Sequence, residues 1–331
     1  MVALQNTLDG QTPAEEHFPL LIKVYGDGTE ITINRDKEIT FHQLLGRHRL
    51  APTLLFRFAN GHAYPFVEGE VCTVSTLAEA HVQRGVAAEL ARWHTVLPTG
   101  PGGGTASAML RQEHNVWATA RRWLDAAPGG PKGKEALRRD FDYLVQRVLE
   151  SSGQAPQDLV LGHGDLLCAN VILPRAATED RTDGRAEVRF IDYEHACYCP
   201  RAFDLANHFS EWAGFDCDYS RLPTRSIRRE FLREYLATCH QLRGGTATVA
   251  PDDELERLEA EVDKYRGFPG LYWGLCALIQ AHSTTGAIGF DYAGYAETRL
   301  AEFDAWKAED DGSRSGAGLE MPSREARWAM A

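Results

Sequence analysis

His163-Gly-Asp165-Leu-Leu-Cys-Ala-Asn170 sets a histidine, an aspartate and an asparagine in one short stretch. Phe190-Ile-Asp192-Tyr-Glu194 adds two acids at the end of an apolar run. Phosphoryl transfer from a nucleotide needs these parts: one carboxylate to orient an attacking hydroxyl, and an amide and a second carboxylate to hold magnesium. Asp165 is the expected base, accepting or orienting the hydroxyl proton. The bland alternative is a loop aspartate capping nearby backbone; Asn170 and Asp192 together weigh against it. Asp192, ending the run Val188-Arg-Phe-Ile-Asp, suits magnesium, which takes one or two carboxylates beside phosphate oxygens. Asn170, Asp192 and Glu194 are the candidate metal ligands. His163 reads as a packing and hydrogen-bonding residue of the loop rather than a reactant.

Lys23 interrupts the apolar run Leu20-Leu-Ile-Lys-Val-Tyr25, where a solvated charge is hard to place. A lysine that reaches nucleotide phosphates while a helix glutamate holds it fits this position, and Glu38 lies where such a helix begins. The competing reading is a strand-edge lysine snorkelling to water, with Glu38 an ordinary first-turn acid.

Elements must bring these residues together. Residues 20–25 read as a strand, Asp27-Gly28 as a turn, and Thr29-Glu-Ile-Thr-Ile33 as a second strand. Glu38 to Leu45 has helical spacing. Thr53–Phe58 and Ala63–Val67 flank Asn60-Gly61, a strong hairpin signal. Leu159–Leu161, Val171–Leu173 and Val188–Ile191 read as short strands around the acidic motifs, and a hairpin between the last two would bring Asn170 and Asp192 to one metal. The stripes Val82/Val86/Leu90/Trp93, Leu137/Phe141/Leu144/Val148, Ile227/Phe231/Tyr235/Cys239 and Leu255/Leu258/Val262/Tyr265 are core faces of helices. Thr99–Gly104 and Pro128–Pro131 read as breaks, 175–186 as a polar hairpin loop, and the stretch after Asp310 as disordered.

A chain of 331 residues can bury one large or two modest cores, and its composition, 44% hydrophobic and 25% charged, is that of a globular protein. A net charge of -12 argues against nucleic acid and anionic membrane as partners. Cys197-Tyr-Cys199 is too tight for the usual zinc pair, and the seven cysteines read as free thiols of a reducing cytoplasm. No apolar stretch approaches the ~20 residues of a membrane span, and no signal peptide is visible at Met1–Gln5.

Pro200-Arg-Ala-Phe-Asp204, Asn207-His-Phe-Ser-Glu211-Trp212 and Ile191-Asp-Tyr-Glu-His-Ala-Cys-Tyr198 resemble signatures of the choline/ethanolamine kinase family, over residues 20 to about 307. Leu21-Ile-Lys-Val-Tyr-Gly26, His163–Cys168 and Ala277-Leu-Ile-Gln280 resemble its ethanolamine kinase branch. The resemblance implies an α+β, protein-kinase-like two-lobed fold: a truncated small mixed β lobe and a larger, mainly helical one. It implies ATP and Mg2+ as cofactors and phosphorylation of ethanolamine, the first step towards its phospholipid, with choline or dual specificity as the alternative. Asp165 and Asn170 are then catalytic. Lys23 and Glu38 serve the phosphates, Asp192 the metal, and Pro65, Phe66 and Val67 the adenine. Glu211 would face the substrate ammonium, with Trp273, Phe290 and Tyr295 as an aromatic wall. Cys276 stands where choline-handling relatives resemble one another in a second tryptophan. One aromatic face fewer weakens a trimethylammonium contact by about 0.5–2 kcal/mol.

The family's glycine-rich hairpin over the phosphates is not visible before Leu20, and Ser283–Phe290 reads as longer than the family's turn. The expected division is 1–19 outside the family, 20–70 an incomplete nucleotide lobe, 71–308 a catalytic and amine-binding lobe, and 309–331 a disordered tail. The missing hairpin keeps open a catalytically impaired, regulatory kinase fold. The expected partner is a small amino alcohol, with no nucleic acid, no stable membrane insertion, and a homodimer left open.

Overall fold

The computed structural model describes residues 2–4, 19–98, 111–150, 159–175, 184–245, 250–283 and 289–331. Two strands open the chain, β1 (Val2–Leu4) and β2 (Leu20–Val24), followed by helix α1 (Arg35–Arg47). The Asn34 side chain caps α1 by accepting from the Lys37 amide, and Asp36 and Glu38 place negative charge in its first turn. Next come β3 (Phe56–Phe58) and β4 (Gly61–Pro65), joined through Asn60-Gly61 as the sequence predicts, and β5 (Glu70–Val71). The first four strands form one antiparallel sheet in the order β1-β2-β4-β3, with Lys23 opposite His62.

Helices follow: α2 (Ala80–Val96), α3 (Val116–Ala126) and α4 (Lys134–Glu150). Strands β6 (Leu159–Gly162), β7 (Val171–Leu173), β8 (Arg189–Phe190) and β9 (Cys197–Pro200) then build two small sheets, β5-β7-β8 and β6-β9. The rest is helical: α5 (Arg201–Glu211), α6 (Arg225–Leu242), α7 (Asp252–Tyr265), α8 (Phe268–Ser283), α9 (Tyr292–Asp310) and α10 (Ser323–Ala329). The four apolar stripes are buried as expected, apart from Ile227, which is half-buried. Residues 268–279 of α8 are buried on every side, which suits a helix with no polar face. One continuous core joins Phe41 and Leu45 of α1 to Phe303 and Trp306 of α9, so the small lobe's helix packs into the same interior as the large lobe. No helix among the described residues is long and apolar enough to cross a membrane, and all seven cysteines are free thiols.

Two expectations need correction. Thr29–Ile33 is a turn, not a strand. The Thr32 and Ile33 amides both donate to the Thr29 carbonyl, at 3.1 and 2.8 Å, and the Thr29 hydroxyl donates to the Gly26 carbonyl at 2.7 Å. Local bonds of this kind compete with a ladder, and here they win. Before Leu20, β1 lies antiparallel to β2 with Leu4 opposite Leu20, and residues 5–18, where the sequence shows no glycine-rich hairpin, lie outside the described residues.

Residues 309–331 are not a disordered tail. In α10, Arg324, Glu325 and Trp328 are buried. The Arg228 guanidinium lies 3.9 Å from the centre of the Trp328 ring, and the indole N–H donates to Asp263 at 2.7 Å. Polar composition suggested disorder, but these polar groups find buried partners. The break at Thr99–Gly104, most of the 175–186 loop and 284–288 lie outside the described residues.

Candidate active site

The β7–β8 pair brings the two acidic motifs together. The Ile191 amide donates to the Asn170 carbonyl at 3.0 Å, so Asn170 stands across from the residue that precedes Asp192. Asp192 has φ of 63°, the left-handed region that aspartate tolerates better than branched residues. Three carboxylates surround one ammonium: Lys23 Nζ lies 2.6 Å from Asp192 Oδ1, 2.7 Å from Glu194 Oε2 and 2.9 Å from Glu38 Oε1. Burial opposes the Lys23 charge, but Asp192, Glu194 and Glu38 outweigh it and raise its pKa. Burial likewise works against ionised Glu194, yet Lys23, His195 and Arg35 bring its pKa down to about 2.

Arg35, which sequence reasoning missed, donates from Nη1 to both Glu38 (2.9 Å) and Glu194 (3.0 Å). Its one sequence signal is the three-residue spacing to Glu38 on α1. Glu38, Asp192 and Glu194 each offer an oxygen within 4.8 Å of the others. Hard oxygens clustered this closely fit magnesium.

Asp165 is half-buried at the end of the loop. Asn170 Nδ2 donates to the Asp165 carbonyl at 2.8 Å and lies 3.4 Å from its Oδ2, while Asn170 Oδ1, the acceptor of that amide, has no hydrogen bond among the described residues. Burial, then the charges of Glu211, Asp192 and Glu194, push the Asp165 pKa well above the usual aspartate range. A carboxylate raised in this way is a stronger proton acceptor when ionised.

The loop's shape is imposed from α5. Asp204, buried, accepts the amides of His163 (3.0 Å) and Gly164 (2.8 Å) and contacts His94 Nε2 at 3.0 Å. Burial would raise the Asp204 pKa, but His94 and the Gly164 amide hold it low. Asn207 Nδ2 donates to the Gly164 carbonyl at 3.1 Å, and His208 Nδ1 to the Leu166 carbonyl at 2.8 Å. Gly164 has φ of 75°, and a Cβ there would sit 2.5 Å from the His195 carbonyl oxygen, so no other residue fits. His163 lies against Trp93, and its Nε2–H donates to the Ile191 carbonyl at 3.0 Å. Burial keeps its pKa low and the ring neutral. Polar residues on the buried face of an otherwise apolar helix were the available signal for Asp204, Asn207 and His208.

The expected amine residues divide into two groups. Phe290 and Tyr295 pack at 5.5 Å between ring centres, with Phe215, absent from the sequence-based set, at 5.6 and 6.3 Å from them. Trp273 instead neighbours His195 (5.0 Å) and Trp123 (6.4 Å), and its indole N–H donates to Asn207 at 2.8 Å. Cys276 is buried one turn further along α8, close enough to Asp165 for that charge, after burial itself, to raise its thiol pKa.

Glu211 is buried, and its Oε1 has no hydrogen-bond partner among the described residues. Burial raises its pKa against the pull of Arg299. At the expected adenine stretch, Pro65 pairs with Leu20 at the end of β4, the Phe66 amide donates to the Pro19 carbonyl at 2.8 Å, and the Phe66 ring is exposed. The Phe66 amide is thereby engaged, and among the described residues the Val67 amide has no backbone partner.

Comparisons with known proteins converge on one family. A family model described as choline/ethanolamine kinase matches residues 3–304. The match reaches back to residue 3, so the segment 1–19, expected to lie outside the family, belongs to it almost entirely. Ethanolamine kinase 2 of Rattus norvegicus is 33% identical over 92% of this chain and 72% of its own length. Ethanolamine kinase 1 of Mus musculus is 30% identical over 88% and 77%. Among solved structures, an ethanolamine kinase of Plasmodium vivax superposes with a TM-score of 0.71 at 24% identity, over 86% of this chain and 76% of that one.

Proposed function

The chain belongs to the choline/ethanolamine kinase family, and from that premise we propose that it transfers the γ-phosphoryl group of ATP to the hydroxyl of ethanolamine. The observation that carries this reading is the Lys23 ammonium of β2 held among Glu38 of α1 and Asp192 and Glu194, which follow β8, while Asn170, just before β7, is tied to Asp165. The ethanolamine kinases among its relatives favour that acceptor.

In this reading Asp165 orients the ethanolamine hydroxyl and takes its proton as the oxygen attacks phosphorus. Lys23, steadied by Glu38, presents positive charge to the phosphates, and Arg35 keeps Glu38 and Glu194 from collapsing onto it alone. Asn170 Oδ1, Asp192 and Glu194 would hold magnesium, which when bound neutralises charge on the β- and γ-phosphates. Backbone around Pro65, Phe66 and Val67 would meet the adenine. Glu211 accepts from the primary ammonium, whose three N–H groups gain more from a carboxylate than a trimethylammonium can. Phe290, Tyr295 and Trp273 wall the amine pocket. Cys276 offers a thiol where a further aromatic face would favour choline.

Residues 20–70 then act as the nucleotide lobe and 71–308 as the catalytic and amine lobe. The product would feed phosphatidylethanolamine synthesis in the cytoplasm. A homodimer is part of the proposal, and sedimentation of the purified chain reads it directly.

The deciding assay incubates the purified chain with ATP, magnesium and either ethanolamine or choline, and detects the phosphorylated amine by mass spectrometry. Phosphoethanolamine should form, phosphocholine more slowly, and chelation of magnesium should stop both. A folded chain that phosphorylates neither amine would leave the non-catalytic family member as the better reading.

A further inference from the structure

Glu211 is one end of a row of four buried charges of alternating sign. Arg299 Nη2 lies 3.6 Å from Glu211 Oε1, and Arg299 Nη1 lies 3.4 Å from Glu302 Oε2. That same Glu302 oxygen lies 3.7 Å from Nε of Arg324, on α10. None of the four side chains is more than 6% exposed. Charges so deeply buried are normally paired through good hydrogen bonds. Here Glu211 Oε1, both oxygens of Glu302, and Nε and Nη2 of Arg299 meet no partner at full hydrogen-bond geometry among the described residues, with the Tyr219 hydroxyl beside Glu302 and the Cys217 thiol beside Arg299 as further neighbours.

Arg324, at the far end, is held firmly. Its Nη1 donates to Glu325 at 2.6 Å and its Nη2 to the Arg266 carbonyl at 2.8 Å. Glu325 is in turn bound by Arg266 Nε at 2.9 Å. The row therefore has an anchored end on the C-terminal helix and a loose end at the carboxylate beside Asp165. Its middle is a competition. Arg299 stands between two carboxylates and satisfies neither fully, and Glu302 stands between two guanidinium groups.

We propose that Glu302 and Arg324 are positioning residues for amine recognition. Glu302 draws Arg299 away from Glu211, and Arg324 limits that pull, so that the Glu211 carboxylate stays available to a primary ammonium. The C-terminal helix thereby belongs to the substrate site although it touches no substrate. The inference rests on the reading of Glu211 as the ammonium's partner. It makes a prediction of sign. Neutralising Glu302 releases Arg299 to Glu211 and adds net positive charge, so ammonium binding weakens. Neutralising Arg324 leaves Glu302 unbalanced and adds net negative charge, so ammonium binding strengthens. Residues that merely hold the fold would move both variants in one direction.

The test is steady-state kinetics on the full chain, with ethanolamine and ATP varied separately, for Glu302→Gln, Arg324→Gln, Arg324→Lys and Glu211→Gln. Glu302→Gln should raise the KM for ethanolamine about three- to tenfold, and Arg324→Gln should lower it about twofold or more. In both, the KM for ATP should stay within about twofold, since among the described residues no hydrogen bond or ion pair joins Arg299, Glu302 or Arg324 to Lys23, Glu38, Asp192 or Glu194. Arg324→Lys, which keeps the charge, should resemble the parent. If both neutral variants raise the KM for ethanolamine, or if the two KM values move together, the inference is overturned. If Arg324→Gln does not fold, Glu302→Gln and Arg324→Lys decide, and a lysine variant with a raised KM for ethanolamine overturns it. Glu211→Gln separates the two layers. An unchanged KM for ethanolamine there sinks the reading of Glu211 and the inference with it, whereas a raised one leaves the network to stand or fall on its own variants.

Discussion

The proposed phosphate site around Lys23 and the proposed amine site around Glu211 are both built from carboxylates and cations, yet they pair them differently. Around Lys23 the distances are 2.6–2.9 Å, and Arg35 bridges two of the same acids. Around Arg299 they are 3.4–3.6 Å, and carboxylate oxygens meet no partner at full hydrogen-bond geometry among the described residues. The first cluster is partly buried, with Asp192 and Glu194 its members most open to solvent, so in the proposed reaction those two acids can exchange a lysine for a metal and phosphates. The second is sealed, where an incompletely satisfied carboxylate is expensive and, in the proposed reading, an ammonium would recover that cost. One end is tightly paired; the other is loosely paired, with hydrogen-bonding capacity left over.

Substitutions can break this contrast, and the largest effect should come from the group between the two ends. Asp165→Asn should lower kcat about 10²–10⁴-fold while circular dichroism stays unchanged; a variant with parental kcat would remove Asp165 as the base. At the phosphate end, Lys23→Met should cost roughly 10²-fold in kcat/KM for ATP and leave the KM for ethanolamine nearly alone. Equal losses for both substrates would show that the ends are not separable. At the amine end, Glu211→Gln should raise the KM for ethanolamine about 30-fold or more, the usual cost of truncating one partner of a buried charge pair.

The pH dependence sharpens the comparison further. Asp165 must be ionised to act, and its raised pKa means that it gains its proton at a higher pH than an ordinary aspartate. As pH falls, kcat/KM should therefore decline about tenfold per unit, from a midpoint above the ordinary value of about 3.9. A midpoint at or below that value would contradict the environment described for Asp165. The smallest effect belongs to Cys276→Trp, which should shift the choline-to-ethanolamine ratio of kcat/KM towards choline by roughly two- to 30-fold. A ratio is the proper measure, because overpacking of a buried site lowers both activities together.

The phosphate end was largely legible in the sequence, because its residues break local patterns. Lys23 interrupts an apolar strand and Asp192 ends one. Asn170 stands at a fixed interval from Asp165. Arg35 was hidden, since an arginine at the start of a helix is ordinary until its partner Glu194 arrives from a distant hairpin. The amine end was less legible. Glu211 and the aromatic residues were reached through family signatures, while Phe215, Arg299, Glu302 and Arg324 carry no local pattern and meet only in three dimensions. Trp273 shows the opposite hazard. Its indole N–H is tied to Asn207, which also holds the catalytic loop, so it serves the interior as much as the pocket. The tail misled for a simpler reason: composition records that Arg324 and Glu325 are charged, but not that each has a buried partner.

The position of α10 has a consequence for how the protein is made. Everything it covers, from Ser210 and Arg228 to Asp263 and Glu302, precedes it in the chain. A ribosome releases sequence in order, and the earlier lobes can fold while synthesis continues. The catalytic loop and its α5 supports can therefore be in place while Glu302 still lacks Arg324. Until α10 docks, the nascent chain holds an unbalanced acid in its interior, in the row of charges that ends at Glu211.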